Sequence, residues 1–254
     1  MRVGEYSDVE LIYYNMKRNI FLAILIILIS LTISAHGVTL TVGDSLKGYE
    51  SIQEAINSAS EGDEILVYPG TYYENLVVDK CLDLIGLKNP VIDAGGDYAK
   101  GPGVTILADG IRMEGFTIRN STNTAGDPQS GAGVLVRSNN NTIKGNILEN
   151  NYRSGIKVLS GYNNLITNNS INSNFEGILV SDSHRNKIAS NRINSNNGTG
   201  IFITRSSEQN LVIDNIINNN SQGVLLIDAG FNEIKKNAFF GNKVKNLEIF
   251  HSNF

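Results

Sequence analysis

The chain has 254 residues, enough to bury a sizeable core within one domain, and carries a net charge of −4 with 18% charged residues. It shows no basic stripe of the kind that neutralises phosphates, which argues against nucleic acid as a partner and leaves nothing to draw the chain to an anionic membrane surface. Asparagine is over-used, in runs such as 139–141 and 218–220, and there are only four prolines; a bias of this kind marks repetition.

Residues 16–37 read "MKRNIFLAILIILISLTISAHG": Lys17 and Arg18 precede an apolar run from Ile20 to Leu31 broken only by Ser30, and Ala35-His36-Gly37 supplies small residues at a cleavage spacing. This pattern is that of a secretory signal peptide over residues 1–37, with Met16 as the true start and the mature domain beginning at Val38. An uncleaved anchor is the competing reading and the only route to a membrane, although the run is short for a spanning helix. The single cysteine, Cys81, excludes an internal disulfide.

Residues 51–78, "SIQEAINSASEGDEILVYPGTYYENLVV", open with a capping box from Ser51 to Glu54 and put Ile52, Ala55, Ile56 and Ala59 on one helical face before Gly62. The pattern predicts a short amphipathic helix over about 51–60. Cys81, between Lys80 and Leu82, reads as packing at a strand edge. Asp93 and Asp97, in "IDAGGDYAKG", are the only pointer to Ca²⁺, and two acids among glycines read first as a turn. From Gly103, "GVTILADGIRMEGFTIRN" sets Met113 and Ile118 at core positions, and 121–132, "STNTAGDPQSGA", is expected to leave the surface as a loop.

Five repeats then open at Gly133, Gly155, Gly177, Gly200 and Gly223, spaced 22, 22, 23 and 23 residues apart. Each contains three apolar alternations too short for helices, separated by three asparagine columns. The first column is Asn141, Asn164, Asn186, Asn210 and Asn232; the second is Asn146, Asn169, Asn191, Asn215 and Asn237; the third is Asn151, Asn174, Asn196, Asn220 and Asn242. Three short strands and three corners per unit predict an all-β parallel β-helix of about eight coils, clearest over 133–245, filling residues 38–254 with the short helix plugging its N-terminal end. Stacking coils about 4.8 Å apart sets like residues above one another, so that Ile and Val form the core and the Asn amides run along the axis. Asn and the coil-opening Gly also tolerate the left-handed backbone that sharp corners need.

The 51–78 segment, with "YPGTYYENLVV", resembles the opening of pectin-lyase-like right-handed β-helix proteins, including pectin methylesterases. The N-x-[IV]-x-x-N-x-[ILF] units resemble the repeats of the NosD-like family, named for a periplasmic copper-maturation protein and common in secreted and surface proteins. The resemblance covers roughly Val38 onward and rests on corner and core positions, so it is specific for fold rather than activity.

In enzymes of this fold, the resemblance implies that sugar polymers lie along the outward face of the strand after the coil-opening Gly. Alternation puts Val134 and Val136, Ile156 and Val158, and their equivalents inward, and Leu135, Arg137, Lys157, Leu159, Leu179, Ser181, Phe202, Thr204, Leu225 and Ile227 outward. Those ten positions carry no carboxylate. A lyase needs a base and commonly carboxylate-held Ca²⁺, and an inverting hydrolase needs two acids about 6.5–9.5 Å apart. The methylesterase pattern would further imply a Gly-Arg-Pro-Trp segment, yet the chain has no Trp. The stripe of Leu135, Lys157, Leu159, Leu179, Phe202, Leu225 and Ile227 reads instead as an exposed face covered by a partner, another copy, or the 121–132 loop.

Asp182, His184 and Arg185, in "SDSHRNKIASN", are the catalytic candidates, since a carboxylate, an imidazole and a guanidinium could hold and deprotonate a uronate ring. They echo the Asp-Pro-His-Asp motif that some β-helix uronate epimerases carry, without the Pro or the second Asp. They occupy a corner, however, where polar residues are expected anyway. Transition-metal sites need several imidazole or sulfur ligands, and His184, His251, Cys81 and Met113 are scattered over unrelated coils. Sequons start at Asn120, Asn140, Asn168, Asn197 and Asn219, as suits a secreted glycoprotein. "NLEIFHSNF" begins a further coil with no cap after it, which predicts end-to-end association or a longer parent chain. These readings describe an extracellular, cell-surface or periplasmic β-helix scaffold that binds polysaccharide or an envelope protein without cofactors. The alternatives are a uronate epimerase or lyase and, with less support from the residues, a copper-maturation accessory.

Overall fold

The computed structural model describes residues 13–22, 37–44, 48–96, 101–123 and 131–252. The chain divides into two compact units, residues 1–36 and 37–254. In the first, residues 13–22 are helical and largely exposed, with the Lys17 ammonium 4.5 Å from the centre of the Tyr13 ring. Most of the expected leader, including Ala35 and His36, lies outside the described residues, as do Asp97 and residues 124–130 of the expected loop.

The second unit is a parallel β-helix. Each coil passes through three sheets, of nine, eight and eight strands, and every strand pair is parallel and in register. Met113 pairs with Ile143 in the first sheet and Ile118 with Leu148 in the second. In the third, Ile156, Ile178, Ile201 and Val224 follow one another from coil to coil. These side chains point into the bore and are fully buried, so the core is a set of apolar columns. Each column is one alternating position of a three-to-six-residue strand.

The helix Ile52–Ser58 closes the N-terminal end, its buried face formed by Ile52, Ala55 and Ile56, and packs on strands Thr39–Val42, Glu64–Val67 and Leu76–Val78. The capping box is only half formed. Ser51 Oγ accepts from the Glu54 N–H at 3.3 Å, but the free donors of the first turn are taken by Glu74, which accepts from Ser51 Oγ, Ile52 N and Gln53 N at 2.8–2.9 Å. At the other end Lys80 Nζ donates to the carbonyls of Ile56, Asn57 and Ala59. An acid at the N-terminus and a cation at the C-terminus both complement the helix dipole.

The three asparagine columns are continuous ladders inside the corners. Asn186 is typical: its Oδ1 accepts from both the backbone N–H and the Nδ2 of Asn164, at 2.9 and 3.0 Å, and its Nδ2 donates to Gly161 O and Asn210 Oδ1, both at 3.0 Å. The ladders begin on ordinary backbone donors, since Ile111, Phe116 and Ser121 give their N–H groups to Asn141, Asn146 and Asn151.

Two expectations about the corners need correction. The left-handed residue is the one before the ladder asparagine. In the first column these are Asn140, Asn163, Arg185, Gln209 and Phe231, with φ between 54° and 59°. The coil-opening glycines do not take positive φ. They are needed for space, because a Cβ on Gly155 would lie 2.5 Å from Ile171 Cγ2 and 2.9 Å from Gly177 O.

Asn186→Ala would strand the buried Asn164 N–H and leave the Gly161 carbonyl with the His184 N–H alone, so it should cost about 1–3 kcal/mol in urea unfolding. Asn197→Gln, at an exposed corner position, should stay within about 0.5 kcal/mol. Equal losses from both would remove the ladder as the source of the difference.

Candidate functional site

The third sheet carries the longest strands, Ser154–Leu159, Glu176–Ser181, Thr199–Thr204 and Gln222–Ile227. Pairing aligns Leu135, Lys157, Leu179, Phe202, Leu225 and Glu248 as one outward column. Leu159, Ser181, Thr204, Ile227 and Phe250 form a second. The face is not exposed along its whole length, as the alternation had suggested. Leu135, Lys157 and Leu179 are each only 5% exposed, so that end of the face is buried; an outward position on a strand is not always a solvated one. Leu159, Phe202, Leu225 and Ile227 are half-buried, and Phe250 is exposed.

Two carboxylates border this face: Glu176, which alternation counted from the glycine missed, and Glu248, in the outward column of the last coil, which has no opening glycine. Ser154 pairs with Glu176 before the glycine of each strand, so four coils contribute one more polar position, Ser154, Glu176, Thr199 and Gln222, where the coil before them has Ala132. Glu176, whose side chain is 4% exposed, has both oxygens occupied. Arg153 Nη2 donates to Oε1 at 2.9 Å and Ser154 Oγ to Oε2 at 2.8 Å. The Arg153 guanidinium also lies over the Phe175 ring, 4.8 Å from its centre. A carboxylate held in this way is neither a free base nor a metal ligand. Glu248 is engaged by Gln222 and by Lys245, and the Lys245 hydrogen bond leads in holding its carboxyl below the usual range. The polar residue preceding each coil-opening glycine was the available signal.

At the corner 181–185 the three catalytic candidates do not converge. Asp182 is exposed and accepts from Ser181 Oγ at 3.2 Å, whereas Arg185 Nε donates to Gln209 Oε1 at 2.9 Å. His184 stacks on Tyr162 of the preceding coil, with ring centres 5.2 Å apart and 18° between planes. Its Nδ1 accepts from the Glu208 N–H of the next coil at 3.3 Å. One imidazole thus bridges three coils, and the lone pair that would take a substrate proton is already in use.

Asp93 is likewise engaged. Burial alone would raise its carboxyl, but hydrogen bonds from Asn120, Arg119 and the Gly95 N–H, with the Arg119 charge, hold it below the usual carboxylate range. Burial pushes the Cys81 thiol up, and the Glu61 and Asp83 charges add to this, which disfavours the thiolate. Among the described residues no group of three or more His, Cys, Asp or Glu side chains is placed to hold a metal ion, and no helix is long and apolar enough to cross a membrane. The five sequon asparagines, Asn120, Asn140, Asn168, Asn197 and Asn219, are all exposed corner residues.

Residues 96–239 match the family model described as the right handed beta helix region. The chain belongs to the right-handed β-helix family. A relative, a cell surface glycoprotein of Methanothermus fervidus, is 31% identical over 143 residues, which is 55% of this chain and 22% of that protein. The chain therefore spans about a fifth of the length of that relative. Among solved structures the β-helix is similar to XylC in complex with xylose (TM-score 0.69, 12% identity, 85% of this chain and 64% of that one). It is also similar to the alginate lyase of a Paenibacillus species (0.59, 14%, 85% and 99%) and to the pectate lyase Pel9A (0.58, 13%, 85% and 78%). At these identities the likeness is one of fold.

His184→Ala removes a ring stack and a backbone acceptor, and should lower stability by about 1–2 kcal/mol in chemical unfolding. An unchanged midpoint would refute the bracing role. For Asp93, the folded pKa lies below the unfolded value of about 3.9, so its contribution is present above that value and lost as pH falls through the folded pKa. Asp93→Asn should therefore cost about 1–3 kcal/mol at neutral pH, with the gap to wild type closing as the pH falls below the unfolded value and through the lowered folded one. A gap independent of pH would show that the ionised carboxylate is not what stabilises this corner.

Proposed function

We propose that this protein is a non-catalytic scaffold of the cell surface that binds polysaccharide along the open half of the third sheet. The observation that carries the reading is the chemistry of that face. Phe202, Leu225, Ile227 and Leu159 present half-buried apolar surface beside the half-buried hydroxyl of Thr204. Sugar rings offer matching apolar faces and hydroxyl edges. The carboxylates that a lyase, hydrolase or epimerase would require there are tied up by Arg153, Ser154, Lys245 and Gln222. A surface location is supported by the cell surface glycoprotein among its relatives and by the leader-like sequence of residues 16–37. The NosD-like character of the repeats adds a resemblance in sequence pattern, and among the described residues no group of three or more His, Cys, Asp or Glu side chains is placed to hold a metal, which lends copper delivery less support.

The test is a panel of polyuronates and neutral polysaccharides, with and without Ca²⁺, incubated with the full chain and assayed for both binding and polymer integrity. Retention of at least one polymer without shortening or altered sugar stereochemistry is expected. A Phe202→Ala/Leu225→Ala double variant should weaken that retention about tenfold or more, with His184→Ala binding as wild type. Modified polymer that depends on His184 would make the chain an epimerase or lyase, and no retention by any polymer would redirect the face to a protein partner.

A further inference from the structure

The five sequons are equivalent in sequence but not in structure. All five asparagines sit at corners and are exposed; four of them, Asn140, Asn168, Asn197 and Asn219, adjoin the ladder asparagines Asn141, Asn169, Asn196 and Asn220, and Asn120 adjoins Ser121, whose N–H feeds the head of the third ladder. Their side chains differ in what they already hold. Asn120 Nδ2 donates to both oxygens of the buried Asp93 at 3.0 Å, and the hydroxyl of its sequon, Thr122 Oγ1, accepts from the Gly101 N–H at 3.1 Å. Asn219 Nδ2 donates to Asn194 Oδ1 at 3.2 Å, and its Oδ1 lies against Gly241, where even a Cβ would collide with it. Asn140, Asn168 and Asn197 make no comparable side-chain commitment, and their sequon hydroxyls, on Thr142, Ser170 and Thr199, each belong to the first residue of a strand.

We propose that Asn140, Asn168 and Asn197 are the N-glycan acceptors of this protein, and that Asn120 and Asn219 remain bare. The donor is a sugar linked through phosphate to a polyprenyl-type lipid. Asparagine Nδ2 attacks the anomeric carbon, the N–C bond forms as the C–O bond to phosphate breaks, and the phosphate leaves with the bonding pair while one Nδ2 proton is released to it. A modified asparagine keeps a single N–H. At Asn120 this would cost one of the two bonds to Asp93 and set a sugar against a buried carboxylate; at the three acceptors nothing is displaced. The positions also have a regular placement. Asn140 lies at the corner between the third and first sheets, Asn168 between the first and second, and Asn197 between the second and third. They fall on three successive coils, so one glycan stands on each edge of the solenoid and its flat faces stay clear.

The inference rests on the surface reading only in requiring export, and is independent of polysaccharide binding. The full chain is recovered from cells that attach N-glycans to exported proteins, its exported fraction is quantified, and occupancy is read by intact mass and glycopeptide mass spectrometry. The folded exported chain is expected to carry three glycans. Asn140→Gln, Asn168→Gln and Asn197→Gln should each remove one, and Asn120→Gln and Asn219→Gln should remove none. A glycan on Asn120 or Asn219, or a bare Asn140, Asn168 or Asn197 on exported protein, overturns the assignment while leaving the surface reading intact. A chain that is made but not exported overturns both.

Discussion

The buried asparagine amide is the interaction on which the rest of the molecule depends. A solenoid corner turns the backbone sharply and leaves an N–H and a carbonyl facing inward, where an unpaired polar group costs about 1–3 kcal/mol. In each ladder one side chain settles both. Its Oδ1 takes the N–H of the coil before, and its Nδ2 reaches a carbonyl of that coil while bonding the next amide, as Asn186 does with Asn164, Gly161 and Asn210. The residue type follows from geometry. Stacked aspartates would have no donor and would repel at coil spacing, and glutamine would not fit a corner cut to one methylene. The ladders run one way along the axis, so each coil is both supported by the next and a template for it.

With the ladders fixing the corners, neighbouring positions are released from structural duty. The left-handed position just before the ladder asparagine accepts Asn, Gln, Arg and even Phe231, although L-residues other than Gly, Asn and Asp meet a penalty of about 1–2 kcal/mol there. The amide bonds on the next residue outweigh it. A concentration of acid, imidazole and guanidinium at 182–185 is therefore what a tolerant, solvated corner permits, and His184 has been put to use across coils, against Tyr162 and under Glu208.

The fold was legible because a 22–23-residue spacing with three asparagines admits few other architectures, and the core columns follow directly from alternation. The candidate site was legible only in part, for two physical reasons. Alternation reports which way a side chain leaves a strand and not whether it ends up solvated, so Leu135, Lys157 and Leu179 could be assigned outward but not recognised as buried. The glycine that opens each coil also interrupts the alternation, since Ser154 pairs with Glu176 ahead of it. A count beginning at the glycine therefore passes over the one buried acid on that edge. The bonding of Asp93 to Arg119 and Asn120, across 26 and 27 residues, is of the same kind: it follows from stacking register, which local pattern does not encode.

A parallel β-helix offers a long flat surface at little cost in specificity of fold, because the ladders and the bore consume only the inward positions. What the outward positions carry then separates an enzyme from a scaffold. Catalysis on polyuronates needs charged groups whose bonding capacity is unspent, whereas Glu176, Glu248, Asp93 and His184 each have their acceptors filled by neighbours within the coil stack. Releasing any of them for chemistry would withdraw a bond that ties one coil to another or closes a corner. The half-open apolar strip at Phe202, Leu225 and Ile227 carries no such obligation, and an extended ligand can cover it without disturbing the stack. The proposed binding role is one that this arrangement of residues can carry without loss of the interactions that hold it together.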